Sequence, residues 1–249
     1  GGRWVKGIWF RSKEFNTIWR YNMSQYGEPL EKKTLIVCAL KDETQGQLND
    51  YDVLYTGVGK VNATLKLTQK FGKFSSHIPY DLVINYGTAG SRKLPIGELV
   101  DCTKFIQRDM DVRGLGFLKG QTPFEKEVPI ILDYDHVKFN PIGKKLRCGT
   151  GDNFVDENID SYSDVYDMEA YALAKVCFVY DVDFISFKYI TDNGDAEDWK
   201  KNCSNGVKEF KKVLEYYDNN WLDKPVVGSQ EKLEWLHGRW TKEIQPIHN

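Results

Sequence analysis

No stretch of the sequence reaches the ~18 consecutive apolar residues of a membrane-spanning helix, and the N-terminal residues lack the apolar region of a signal peptide, so a cytoplasmic protein with no membrane partner is expected. Cysteine is sparse. Cys38, Cys102, Cys148, Cys177 and Cys203 are an odd number, scattered, with no CxxC pair, which excludes a disulfide framework and reads as small buried thiols of a reducing compartment. The four histidines, His77, His136, His237 and His248, stand far apart without an HExxH pattern, so neither a metal nor another cofactor is expected. A dominant charge is missing too: the net charge of −2 leaves no overall electrostatic footprint for nucleic acid or an anionic membrane. There is no Gly-x-Ser-x-Gly elbow and no evident Cys–His pair for nucleophilic catalysis.

What is present describes one sizeable core. The 249 residues are 41% hydrophobic and 28% charged, enough for a single α/β domain. Texture divides the chain in three. Residues 1–33 carry seven Lys/Arg against three Asp/Glu, with Trp4, Trp9 and Trp19 interleaved, and Met23-Ser24 is a candidate initiation point within this native or added extension. From 34 to 220 short apolar runs alternate with helical patterns, which predicts an α/β domain with a parallel or mixed sheet. Residues 221–249 form a second Trp-containing extension, so six of the seven tryptophans lie outside the core.

Within the core, strand ends and glycine loops repeat. Leu35–Leu40 reads as a buried strand that leaves Glu43 just past its end, and Val53–Thr56 runs into Gly57-Val58-Gly59 and a helix through Phe71. That glycine turn departs from both phosphate-binding patterns, with Asn62 where a third Gly is needed and Val61 where the P-loop wants Ser or Thr, so its role is close approach. Asp81–Tyr86 is a strand ending in Gly87-Thr88-Ala89-Gly90-Ser91, whose amides could cradle an anion or hydroxyl. Gly97–Cys102 begins another strand, Gln107–Phe124 is long and aperiodic, and Leu146–Val155 repeats strand then glycine loop with Phe154 as an aromatic candidate.

The stretch Tyr166–Asp195 is the centre of this organisation. Met168, Ala172, Val176 and Val179 mark one apolar face of a helix opened by Glu169, Phe184–Ile190 is a buried strand, and Asp192 follows that strand's end, where α/β sheets bind ligands. Taken alone, Glu169 could simply complement the helix dipole and Asp192 begin an ordinary turn. A last helix is predicted over Trp199–Asn220, with Val207, Phe210, Val213, Leu214 and Tyr217 on one face.

Several carboxylates, small-residue loops and an aromatic suit acid/base chemistry on an uncharged polar substrate, with glycosidic cleavage the natural candidate. The ordered set ALKDET, TGVGKVNA, NYGTAGS, CGTGDNFV, YDMEA and YITD resembles the purine nucleoside phosphorylase/nucleosidase superfamily, most closely the methylthioadenosine/S-adenosylhomocysteine nucleosidases, over about Thr34–Asn220. The resemblance implies a three-layer α/β/α nucleoside phosphorylase/hydrolase-like fold with a mixed central sheet, and hydrolysis of an adenosine-type nucleoside to free base and sugar. It implies that Glu43 activates water and Asp192 protonates the departing purine. Glu169 would hold the ribose hydroxyls above Met168, Phe154 would stack on the base, the Val155 backbone would read its edge, and Thr88, Ala89 and Gly90 would line the nucleophile's position. Related hexameric phosphorylases place an arginine where Asn85 stands, which favours water over phosphate. Arg92 and Arg108 near these loops keep a phosphorylase as the alternative, though each reads first as solvated surface charge. A non-catalytic nucleoside-binding or structural protein on the same fold is a further alternative.

Two departures from the family pattern concern length: thirteen residues separate Glu43 from Gly57, and Phe124–Arg147 is short for the usual helix. Gln107–Phe124 resembles a family loop that reaches the neighbouring subunit, which implies a homodimer with Leu115 or Phe117 at the contact. The Trp-rich extensions are expected to cover the shortened core or the dimer seam, with nucleic-acid or protein binding by the basic arm as the alternative.

Overall fold

A computed structural model of the chain describes residues 33–74, 78–137, 140–154 and 162–220. The extensions at 1–33 and 221–249, Lys33 aside, lie outside the described residues, and so does Val155.

Among the described residues eight strands form one mixed sheet: β1 (Thr34–Cys38), β2 (Val53–Tyr55), β3 (Leu82–Gly90), β4 (Leu99–Gln107), β5 (Ile131–Asp133), β6 (Leu146–Thr150), β7 (Val165–Asp167) and β8 (Asp183–Asp192). The helices are α1 (Lys41–Thr44), α2 (Lys60–Gly72), α3 (Ala170–Tyr180), α4 (Ala196–Asn202) and α5 (Val207–Asn220). Strand β1 pairs in parallel with β2 and β3, and β3 in parallel with β8. The first part of β4, from Leu99 to Cys102, runs antiparallel to β8, while its remainder pairs with β6 and β5. Strand β6 is parallel to β7, which meets β3 at Gly90 and Tyr166. Strands β3, β8, β4, β6 and β7 thus close a circuit, and the ends of β3, β6 and β8 open on the same region.

The layers follow from alternation along β8, where residues three apart point to opposite faces. Phe184 meets Phe105 and Tyr134 at 4.9 and 5.7 Å between ring centroids, and the Tyr134 hydroxyl donates to the Ala174 carbonyl of α3. Phe187 meets Phe210 of α5 at 5.9 Å on the other face, where Phe210 also stacks on Tyr86 at 4.3 Å. Helices α3 and α5 therefore cover opposite faces of a mixed sheet, the three-layer α/β/α arrangement expected. Among the described residues no helix is long and apolar enough to cross a membrane. Four of the five cysteines are buried free thiols, and Cys203 is half-buried.

Local expectations needed adjustment in three places. Strands β5 and β7, three residues each, carry too little pattern to read from sequence. Helix α3 starts at Ala170 rather than Met168, and Val179 is 60% exposed, because the helix buries most of its circumference and its apolar positions define no single face. The helix expected over Trp199–Asn220 is two, α4 and α5, joined through Cys203–Gly206.

Gly206 marks that break. A Cβ there would lie 2.3 Å from the Tyr189 ring, so the chain passes over β8 closer than any side chain permits. Gly206→Ala is expected to lower the free energy of unfolding by ~1–3 kcal/mol through overpacking. Gly72→Ala, at the end of α2 with nothing within 4 Å of the new methyl, is expected to raise it by ~0.4–1 kcal/mol. Chemical denaturation of the two variants checks both signs.

Candidate active site

The end of β3 is the meeting point. Glu43 reaches it from α1, whose N-cap is Leu40: at the third helical position the carboxylate bends back so that Oε2 accepts the Leu40 N–H at 3.0 Å. Its other oxygen, Oε1, accepts the Thr88 N–H at 2.9 Å and the Thr88 hydroxyl at 3.1 Å. The backbone passes close beside this pair, since a Cβ on Gly87 would stand a tight 3.2 Å from Glu43 Oε1 and 3.5 Å from Lys188 Nζ. Glu43 is 4% exposed, and burial raises its carboxyl above the usual range against these donors and the Lys188 charge.

Asp192 arrives from β8, the strand paired with β3. A Cβ on Gly90 would fall 2.8 Å from Asp192 Oδ1, so the small-residue loop is what admits this carboxylate. Oδ1 accepts the Gly194 N–H at 2.9 Å and Oδ2 the Thr191 hydroxyl at 2.8 Å. Burial raises its pKa, and the negative charges of Asp198 and Asp195 add to the shift. Ala89 is buried within β3 itself.

Glu169 is the N-cap of α3, one position earlier than a first-turn residue. It accepts the Gly59 N–H at 2.8 Å through Oε1, which is the close approach for which Gly59, at φ +94°, is needed. Burial pushes the Glu169 carboxyl up to about 8, with the Asp167 charge adding to it. Met168 beside it is half-buried. Phe154, 45% exposed, follows β6 beside Asp152 and Asn153, which are fastened from two sides. The Arg108 guanidinium donates to the Asn153 carbonyl at 2.6 Å and to Asn153 Oδ1 at 2.9 Å, while Lys60 N–H donates to Asp152 Oδ1 at 2.8 Å. Arg108 is therefore a loop anchor, not the solvated charge expected; Arg92 is exposed.

Two groups went unread in the sequence. Asp167 and Lys188 are buried and joined at 2.8 Å. Asp167 also accepts the Thr150 hydroxyl at 2.5 Å and the Ala170 N–H at 2.8 Å, tying β6, β8 and the start of α3 together. Burial works against both charges, but the partner wins for each: Asp167 titrates below the usual carboxylate range and Lys188 above the usual lysine range. A signal for this existed, since a lysine inside an otherwise apolar strand demands a buried counter-charge. Asn85, which stands where related phosphorylases place an arginine, is committed to the sheet: its Nδ2 donates to the Val37 carbonyl at 2.9 Å and its Oδ1 accepts the Ser186 hydroxyl at 2.7 Å.

The raised Glu169 carboxyl fixes the sign of a pH effect. Its stabilising contribution is fully present below the unfolded value of 4.5 and is lost as the pH rises through about 8. Thermal melts across that window are expected to show stability falling with pH, and Glu169→Gln is expected to make the fall shallower. An unchanged slope would refute the assignment.

No family model matches the chain. Individual relatives do. The 5'-methylthioadenosine/S-adenosylhomocysteine nucleosidase of Anoxybacillus flavithermus is 30% identical over 164 residues, covering 58% of this chain and 68% of the relative. That of Bacillus thuringiensis subsp. konkukian is 30% identical over 190 residues, 68% of this chain and 79% of the relative. Among solved structures, the Helicobacter pylori 5'-methylthioadenosine/S-adenosylhomocysteine nucleosidase with butyl-thio-DADMe-Immucillin-A superposes with TM-score 0.66 at 21% identity, over 76% of this chain and 98% of that one. The futalosine hydrolase of the same organism gives TM-score 0.66 at 20% identity, over 77% and 99%. The solved structures establish the fold, and with the sequence relatives added, the chain belongs to the 5'-methylthioadenosine/S-adenosylhomocysteine nucleosidase family.

Proposed function

We propose that the protein is a purine nucleosidase that hydrolyses the N-glycosidic bond of an adenosine-type nucleoside, of the methylthioadenosine or S-adenosylhomocysteine kind, to free base and sugar. The single observation that carries the hydrolytic reading is the placement of Glu43 on Thr88. Both the N–H and the hydroxyl of Thr88 are spent on this carboxylate, and the Asn85 side chain is spent on β1 and β8. A carboxylate at this position repels a phosphate dianion and suits a neutral water.

In this reading Glu43 takes a proton from water as its oxygen attacks the anomeric carbon. Asp192, its pKa raised by burial, gives a proton to the purine ring nitrogen as the base leaves, so no purine anion has to be expelled. Glu169 holds the ribose hydroxyls, with Met168 beneath the sugar, and Thr88, Ala89 and Gly90 bound the water side. Phe154 stacks on the base. The transition state carries oxocarbenium character, which buried carboxylates stabilise. Catalysis requires Glu43 ionised and Asp192 protonated, giving a profile that loses activity at low pH through Glu43 and at high pH through Asp192.

Glu43→Gln and Asp192→Asn are each expected to lose at least ~100-fold in kcat when release of adenine from methylthioadenosine is followed. Near wild-type turnover of either variant would sink the mechanism. Strict dependence of base release on added phosphate would overturn hydrolysis in favour of phosphorolysis.

A cytoplasmic homodimer is part of the same proposal. In support, the exposed side of α2 and the turn before it present Val58, Val61 and Leu65, while Leu115 is 73% exposed and Phe117 packs on the exposed Phe124. Val61→Asp is expected to shift the mass measured by light scattering toward that of the monomer, and a wild-type monomer at assay concentrations would refute the dimer.

A further inference from the structure

Trp199 contacts the threonine that holds Glu43, and no step of the proposed reaction uses that contact. Its indole N–H donates to Thr88 Oγ1 at 3.0 Å, and the same hydroxyl lies 3.1 Å from Glu43 Oε1. The chemistry of the three groups fixes the direction of the chain. An indole nitrogen only donates, and a hydroxyl has one proton with two lone pairs. With one lone pair taken by Trp199, the Thr88 proton points to the carboxylate, which thereby receives the Leu40 N–H, the Thr88 N–H and the Thr88 O–H.

The indole is held in place from both ends of its helix. Asp195 caps α4, its Oδ1 accepting the Glu197 N–H at 2.8 Å, and Asn202 Nδ2 donates to the Thr191 carbonyl at 3.0 Å. Thr191 is the residue whose hydroxyl supports Asp192, so this short helix is anchored to β8 beside one candidate catalytic carboxylate while its tryptophan reaches toward the other. Trp199 is half-buried, so removing its N–H does not empty the core.

We propose that Trp199 is a positioning residue: through Thr88 it sets the polarity of a one-way hydrogen-bond relay, Trp199 to Thr88 to Glu43, that orients Glu43 as a proton acceptor for the attacking water. The inference rests on Glu43 being the water-activating base. A Trp199→Phe protein keeps an aromatic ring without the N–H and frees the Thr88 hydroxyl to turn, so the base loses a directed donor and protonates at higher pH.

The test is a double-mutant cycle on adenine release from methylthioadenosine, with full pH profiles. Trp199→Phe is expected to lower kcat about 10-fold with KM little changed, and to move the acidic limb to higher pH. In a Thr88→Val background the same substitution is expected to do nothing further, because the relay is already cut; in Thr88→Ser, which keeps the hydroxyl, its effect should return. An unchanged kcat and acidic limb in Trp199→Phe, or an equal loss in the Thr88→Val background, overturns the relay while leaving the nucleosidase reading intact. A wild-type protein that releases no base overturns both.

Discussion

The buried pair of Asp167 and Lys188 is the constraint on which the site depends. Two charges removed from water are expensive, and they persist only where geometry and further hydrogen bonds return the cost. Here Asp167 spends its remaining capacity on Thr150 and on the N–H of Ala170, so the carboxylate that satisfies Lys188 also starts α3 and secures the end of β6. That start places Glu169 at the N-cap, where Gly59 meets it. On its other side Lys188 approaches Gly87, within range of Glu43. One ammonium thus stands among three buried carboxyl groups. It holds Asp167 ionised outright and only partly offsets the burial of Glu43 and Glu169, which is why these two titrate high while their neighbour titrates low.

Position was legible in the sequence where it follows from local rules. Glu43 and Asp192 stand just after apolar runs, so their places at strand ends, where such sheets bind ligands, could be read without knowing how the strands pair. The glycine loops were legible for the same reason, and Gly59 and Gly90 make the close approaches their residue type suggests. The partners were not legible. Nothing in the neighbourhood of Lys188 indicates Asp167, because the two meet only when β7 and β8 are brought together by the closed circuit of strands. Asn85 carried a deduction from resemblance, an amide where related phosphorylases place an arginine, and its side chain, turned between β1 and β8, joins the occupied hydrogen bonds of Thr88 in favouring water. Trp199 was noticed only as the one tryptophan inside the core.

The same division explains the misread helix. Val207, Phe210, Val213, Leu214 and Tyr217 have the right spacing and are all buried, so the period was sound. The break before them comes from the tight passage of Gly206 over Tyr189, a tertiary contact that no amphipathic pattern reports.

The closed circuit of strands has a consequence for the company the molecule keeps. With β3, β8, β4, β6 and β7 paired around a ring, the ends of the sheet path are β2 and β5, and each is three residues long. Unpaired backbone at a sheet edge is a template for strand addition by another chain, and short edges are one way proteins blunt it. Among the described residues this sheet gives a foreign strand little to zip onto, so association by strand addition is disfavoured at both of its edges.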